Sequence, residues 1–295
     1  MNGFLNLLKP PGMSSGAAVA IVKRLTGAKV GHAGTLDPEA SGVLPIMVGR
    51  GTRLLDYFTD KSKSYVAEIA FAGATDTQDA QGTVIEKCAR VPEREEIENI
   101  LDQFRGNILQ CPPAYSALKK DGVPLYALAR KGQMVETEGR PTLIRQLELG
   151  EKTGKDGFML FVDCGSGTYI RTLCHDIGSA LSCPAHMRFL LRTRHGAFAI
   201  EHAYTIEEIQ KAAEEKRLEE MILPLDYPLQ EMKRMDVPAR YAKMARNGSK
   251  LPGSLSGNIP EGEKFRLYLD GTIVGIAHRS GEEIRFDMGL MGGEE

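Results

Sequence analysis

The chain has 295 residues, 42% hydrophobic and 26% charged, with a formal net charge of −2. That length supports a full core and permits a large domain plus a small one, and the composition excludes disordered, collagen-like and coiled-coil chains. The charge balance excludes a protein that holds nucleic acid through bulk positive charge and leaves local basic patches as the electrostatic route.

The opening stretch, residues 1–15, carries neither a basic n-region nor a long apolar run, so no secretory signal is expected and the cytoplasm is the expected location. No segment approaches the ~20 apolar residues of a membrane helix, so no membrane partner is expected. Ser14 or Ser15 can N-cap a helix that places Ala18, Val19, Val22 and Leu25 on one side and ends near Gly27. Residues 31–52 read as a long loop rich in Gly, Pro, Ser and Thr, holding a short apolar strand over 43–48. Tyr65, Ala67, Ile69 and Phe71 alternate with their neighbours, which predicts a strand. Pro92 opens an acidic-then-apolar helix over 92–104. A short helix is expected over 123–131, then an extended stretch over 134–149 with Arg140 and Arg145. Residues 157–164 form an apolar strand, 170–181 a helix after Gly165 and Gly167, and 205–216 a helix capped by Thr205. Past the Pro-rich stretch 224–228 the pattern changes to short strands. Those over 265–269 and 272–277 flank Asp270-Gly271, a strong hairpin signal, and a third spans 283–288. This predicts domains over 1–232 and 233–295.

Five cysteines at irregular spacing do not suit a disulfide framework, and Cys174, His175, Cys183 and His186 lack a paired C-x-x-C knuckle. Neither a metal nor an organic cofactor is expected. The most unusual segment is Gly31-His-Ala-Gly-Thr-Leu-Asp-Pro-Glu-Ala-Ser-Gly42. Loops this dense in Gly lie against ligands or other backbone. Pro38 biases Asp37 toward extended backbone, so its carboxylate sits on a stiff support. Two readings stand side by side: a nucleophile or general base, or an aspartate making a local turn bond. Gly165-Ser-Gly-Thr-Tyr-Ile-Arg171 sits at a strand-to-helix junction with free backbone N–H groups. There Tyr169 offers a stacking face and Arg171 a cation for a carboxylate or phosphate. Lys61 and Lys63 before Tyr65, and Lys119, Lys120, Arg130 and Lys131 among Tyr115 and Tyr126, interleave charge with aromatic rings. That composition suits single-stranded nucleic acid, though each run alone also fits a solvated face.

Taken together, these segments resemble the TruB family of bacterial tRNA pseudouridine synthases. The resemblance is carried by Lys9-Pro10 with Gly12 and Ser15, by Gly31 to Gly42 continuing through Leu44-Pro45 and Gly49, and by Lys63-x-Tyr65. It continues in Thr75-Asp-Thr77 to Gly82, Pro112-Pro113 to Lys119, Gly167-Thr-Tyr-Ile-Arg171, and His186 to Thr193 with Gly196 and Phe198. It covers about residues 1–230 in order. The resemblance implies an α+β fold: a mixed, largely antiparallel sheet with flanking helices, followed by a small β-rich, PUA-like RNA-binding domain over 233–295. It implies isomerisation of uridine to pseudouridine at position 55 in the T-loop of tRNA, with the base flipped into a pocket. On these residues it makes Asp37 the catalytic aspartate, and His32 the ring that fills the place of the flipped base. It stacks Tyr65 on the uracil, sets Tyr169 against the reacting nucleotide and pairs Arg171 with the carboxylate. Leu190 then lines the pocket wall, with Lys9 and Arg192 around it. Arg171 is expected to keep Asp37 ionised. Lys61, Lys63, Lys119, Lys120, Arg130, Lys131, Arg140 and Arg145 are the expected contacts to RNA backbone, and residues 119–145 read as a mobile element closing over the T-arm. The expected partner is the tRNA T-arm stem-loop, bound by a monomer without an obligatory protein partner. A non-catalytic RNA-binding module and a guide-RNA-dependent relative are the competing readings. Retention of Asp37, Tyr65, Tyr169 and Arg171 weighs against the first, and the short N-terminus without basic tails against the second.

Overall fold

The computed structural model describes residues 1–291 except 72, 114, 116, 117, 121, 126, 127, 129–132 and 134–136. The strands, in chain order, are β1 (Gly3–Lys9), β2 (Val30–His32), β3 (Ser41–Val48), β4 (Lys63–Ala70), β5 (Ala74–Thr75) and β6 (Val84–Glu86). Then come β7 (Gly106–Gln110), β8 (Lys119–Lys120), β9 (Val123–Pro124), β10 (Arg140–Thr153), β11 (Gly157–Cys164), β12 (His186–His195) and β13 (Phe198–Ala199). The last five are β14 (Arg234–Asp236), β15 (Leu251–Pro252), β16 (Lys264–Leu269), β17 (Thr272–Ser280) and β18 (Glu283–Gly289). The helices used below are α1 (Ser15–Thr26), α2 (Arg94–Leu101), α3 (Ile170–Ala180), α4 (Ile206–Glu214) and α5 (Ala242–Arg246).

The main sheet runs β1-β3-β12-β4-β11-β10-β7, with β2 paired to β3 and β13 to β12. Its pairings are antiparallel except where β12 meets β3, at Leu191 opposite Ser41 and Arg192 opposite Gly42. The fold is thus α+β with a mixed, largely antiparallel sheet, as expected. Alternation explains the sheet's core face: Tyr65, Ala67 and Ile69 of β4 are buried while Val66 and Glu68 between them are half-buried. Helix α1 starts where Ser14 Oγ accepts the Ala17 N–H at 3.1 Å and ends at Gly27, which is left-handed at φ 63°. It lays Ala18 and Val22 on Leu5, Leu7, Leu44 and Ile46, and α3 adds Leu173, Cys174 and Ile177 to the same core. Each fully buried Leu or Ile there contributes about 1.5–3 kcal/mol.

The second sheet runs β14-β16-β17-β18-β15. Its β16–β17 hairpin turns at Asp270 and Gly271, both at positive φ, as an Asp-Gly turn requires. It has its own core around Leu267, Val274 and Ile284. Tyr268, Ile273, Ile276 and Leu290 pack instead with Phe4, Val43, Met47 and Phe198 of the main sheet. Two expectations change. Of the stretch assigned as extended over 134–149, residues 134–136 lie outside the described residues, and the strand starts at Arg140 and runs on to Thr153. Val123–Pro124 pairs with Lys119–Lys120 in a small hairpin rather than opening a helix, because Leu125 N–H closes the turn onto Leu118 O at 2.7 Å. Most of the expected 123–131 helix, with Tyr126, Arg130 and Lys131, lies outside the described residues. No described helix is long and apolar enough to cross a membrane.

Candidate active site

The loop between β2 and β3 carries Asp37, and buried side chains hold it by its backbone. Ser15, in the first turn of α1, exchanges two hydrogen bonds with Leu36: its Oγ accepts the N–H at 2.9 Å and donates to the carbonyl at 3.0 Å. Lys9 has no exposed surface, and its Nζ donates to the carbonyls of Pro10, Met13 and Pro38 at 2.8, 2.6 and 3.0 Å. Three ammonium donors thus meet three acceptors. Burial still pulls the Lys9 pKa down to about 8, against the pull of Glu39 and Asp37. Arg192, 1% exposed, donates to Val43 O at 2.8 Å and Gly34 O at 3.1 Å. Ala40 N–H closes the turn onto Asp37 O at 3.1 Å. The two readings of Asp37 therefore separate: its backbone makes the turn bond, and its carboxylate stays free for other work.

That carboxylate meets Arg171, whose Nη2 lies 3.2 Å from Oδ1 and 3.1 Å from Oδ2. Arg171 sits in the first turn of α3 and is almost wholly buried, whereas the Asp37 side chain is 39% exposed. Its Nη1 also reaches Asp79 Oδ2 at 3.6 Å. The carboxyl of Asp37 is pushed above its ordinary range, because burial outweighs the attraction of Arg171, and Asp79 adds repulsion. Arg171 favours the ionised form, as expected of it, but burial and Asp79 work against it. The guanidinium reaches both carboxylates, and the charge of Asp79 offsets part of its attraction for Asp37.

Asp37 stands on a wall between two cavities. One, of about 290 Å³, is lined by Tyr65, Tyr169, Leu190, Lys63 and Arg192 as well as Asp37 and Arg171. The other, about 550 Å³, lies toward His32, Ser14, Thr77, Asp79 and Tyr115. Tyr65 lies opposite Arg192 in the β4–β12 register, and burial raises its hydroxyl pKa to about 12. Tyr169 is fixed through its main chain: its N–H donates to Gln110 Oε1 at 2.7 Å and its carbonyl accepts from Gln110 Nε2 at 3.0 Å. His32 is half-buried, and burial, then Arg192, lower its pKa, so the ring is neutral near pH 7.

The structure thus gathers Asp37, Arg171, Tyr65, Tyr169, Leu190 and Arg192 at one cavity and puts His32 at the neighbouring one. Lys9 lies beneath the loop. Of the expected RNA contacts, Lys63 is half-buried in the smaller cavity, with its pKa lowered to about 8 chiefly by burial. Lys61 is exposed, its Nζ directed at Asp56 O at 3.4 Å. Arg140 is exposed at the start of β10, and Arg145 pairs with Asp163 at 3.3 Å. The side chains of Lys119 and Lys120, like Arg130 and Lys131 as a whole, lie outside the described residues. Asp79 and Gln110 escaped the sequence reading. Asp79 sits in the noted 75–82 block, but nothing local tells which of its two aspartates faces Arg171; Gln110 carries no signal at all.

Residues 23–170 match the family model described as TruB family pseudouridylate synthase (N terminal domain), and 171–230 the one described as tRNA pseudouridylate synthase B C-terminal domain. The chain belongs to the TruB family. The boundary between the two family models falls in the first turn of α3, inside the cavity wall. The "tRNA pseudouridine synthase B" of Alkaliphilus oremlandii (strain OhILAs) is 42% identical over 280 residues, spanning 94% of this chain and 92% of that protein. The "tRNA pseudouridine synthase B" of Bacillus pumilus (strain SAFR-032) is 40% identical over 259 residues, 85% of this chain and 84% of that protein. The solved "Crystal Structure of a Cbf5-Nop10-Gar1 Complex" aligns with a TM-score of 0.73 at 26% identity, over 97% of this chain and 83% of that chain.

Proposed function

We propose that this TruB-family protein isomerises uridine to pseudouridine at position 55 of tRNA, with Asp37 as the catalytic carboxylate. The observation that carries the proposal is the Asp37–Arg171 pair set in the wall of a cavity that also presents Tyr65, Tyr169 and Leu190. The target base is inaccessible within a folded T-loop, so it is extruded into this cavity. Tyr65 stacks on the uracil, at about 1–3 kcal/mol for such a contact, and offsets part of the unstacking cost. His32, neutral and at the adjoining cavity, takes the vacated place in the loop. The reaction breaks the C1′–N1 bond, turns the uracil and joins C1′ to C5, with no net gain or loss of atoms. Asp37 acts at the sugar, at the base or on a sugar proton, and Tyr169 lies where a proton would move. Arg171 orients the carboxylate through Nη2, which meets both of its oxygens.

The positively charged contacts to the T-arm are Lys61, Lys63, Lys119, Lys120, Arg130, Lys131, Arg140 and Arg145, with 119–145 closing over the substrate. Residues 233–295 form a separate RNA-binding unit, supported by the separate sheet and core that begin at Arg234. The protein acts as a cytoplasmic monomer. Asp37→Asn tests the assignment: tRNA should bind within about threefold of wild type while single-turnover isomerisation disappears. Turnover near the wild-type rate would remove Asp37 from its role.

A further inference from the structure

The turn between β5 and β6 that carries Asp79 contains an unusual residue. Gln78 adopts φ 64°, the left-handed region that favours glycine, and it is not a glycine. Its side chain has a defined use: Gln78 Oε1 accepts a hydrogen bond from Thr172 Oγ1 at 2.8 Å, across 94 residues of sequence. Thr172 is 2% exposed and follows Arg171 in the first turn of α3. The two elements therefore meet through two adjacent rungs, Arg171 to Asp79 and Thr172 to Gln78. The turn is otherwise tied to itself and to β12. Thr77 Oγ1 donates to Asp79 Oδ1 at 2.7 Å and Gln81 N–H to the same oxygen at 3.0 Å. Met187 N–H donates to Gln78 O, and Ala80 N–H to Met187 O, both at 3.0 Å. Among the described residues, the Thr172–Gln78 bond is the only side-chain hydrogen bond between this turn and α3, beside the Arg171–Asp79 ion pair.

Resting on the proposed function, we infer that Gln78 and Thr172 are positioning residues for the reaction, setting how Arg171 divides itself between Asp37 and Asp79. Arg171 Nη2 sits on Asp37 while Nη1 reaches Asp79, so a shift of the turn relative to α3 redistributes the guanidinium between the two carboxylates. The backbone strain at Gln78 is tolerated because the side chain indexes the turn to the helix. Arg171, Asp79 and Lys9 are the charged groups acting on Asp37, and Glu39 lines the larger cavity beside it. Loss of the Thr172–Gln78 bond lets Arg171 drift from Asp37, and the Asp37 carboxyl then titrates at higher pH.

The test uses full-length variants with unmodified tRNA transcript and reads the single-turnover rate against pH. Gln78→Gly relieves the positive φ and removes the amide. A purely structural side chain predicts an unchanged rate wherever the variant is folded, whatever its thermal midpoint. The positioning role predicts, at temperatures where the variant is folded, a rate about tenfold lower, tRNA affinity within twofold, and the acid limb of the profile moved to higher pH. Thr172→Val should reproduce that pattern, Thr172→Ser should recover most of the rate, and Gln78→Gly/Thr172→Val should be no slower than either single variant. Wild-type rates and profiles in Gln78→Gly and Thr172→Val would overturn the inference, as would additive losses in the double variant or a Thr172→Ser as slow as Thr172→Val. If wild type makes no pseudouridine under these conditions, the proposed function fails instead, a distinct result.

Discussion

Gly42 closes the Asp37 loop between two strands and has no room for a side chain. It faces Lys9 of β1 on one side and Arg192 of β12 on the other, at φ 115°. A Cβ placed there would stand 2.2 Å from Arg192 O and 2.6 Å from Arg192 N, both main-chain atoms, so one strand must move. Forced overpacking costs about 1–3 kcal/mol, and a non-glycine residue at this φ about 1–2 kcal/mol more. Alanine's smaller unfolded-state entropy returns about 0.4–1 kcal/mol. The expected net loss for Gly42→Ala is about 1–5 kcal/mol by these terms together. Gly27→Ala serves as the reference, because Gly27 is also left-handed at φ 63° but a Cβ there meets nothing within 4 Å. It should lose only about 1 kcal/mol. Urea denaturation followed by circular dichroism measures both, with m compared to confirm that the unfolded states match. Gly42→Ala should also lose turnover, since moving β12 moves the Arg192 guanidinium off Gly34. A Gly42→Ala variant no less stable than Gly27→Ala would refute the close β3–β12 contact beside the Asp37 loop.

Asp37→Asn should raise the thermal midpoint at neutral pH. Burial raises the Asp37 pKa in the folded state, so the ionised form weighs against folding once pH passes that value. The advantage of the variant should therefore grow from acid to neutral pH, and a constant or shrinking difference in a calorimetric series would contradict it. Lys63, with its pKa near 8, should lose its charge on mild alkalinisation. The slope of log K against log salt for tRNA binding should then flatten by about 0.7–0.9 between pH 7 and 9 in wild type and not in Lys63→Met. Equal flattening in both would place the titrating group elsewhere. Arg140→Ala should flatten that slope more than Arg145→Ala, because Arg145 is already paired with Asp163; the same salt series checks it, and the reverse order would contradict it.

Where a pattern is local, the sequence already contained it. The alternation from Tyr65, the Ser14 cap with Gly27, the apolar run that became Gly157–Cys164 and the Asp-Gly hairpin each follow from residues within a few positions of one another. The nearness of Asp37 and Arg171 came from family resemblance, since 134 residues separate them and no local rule joins them. Distance in sequence likewise hides Asp79, whose place opposite Arg171 depends on the Asp79–Met187 bridge to β12. Strand β1 went unassigned because Phe4, Leu5, Leu7 and Leu8 give neither strict alternation nor helical spacing, and β1 has Phe4, Leu5 and Leu7 all fully buried. The pull of Arg171 on Asp37 is legible in the motif, whereas the burial and second carboxylate that raise its pKa are not.

The most direct test of the proposed function is to incubate the purified protein with unmodified tRNA transcript and map pseudouridine by position. The proposed function predicts conversion at position 55 alone, approaching one pseudouridine per tRNA without added metal or cofactor. No pseudouridine, or pseudouridine at other positions with position 55 untouched, would contradict the proposed function.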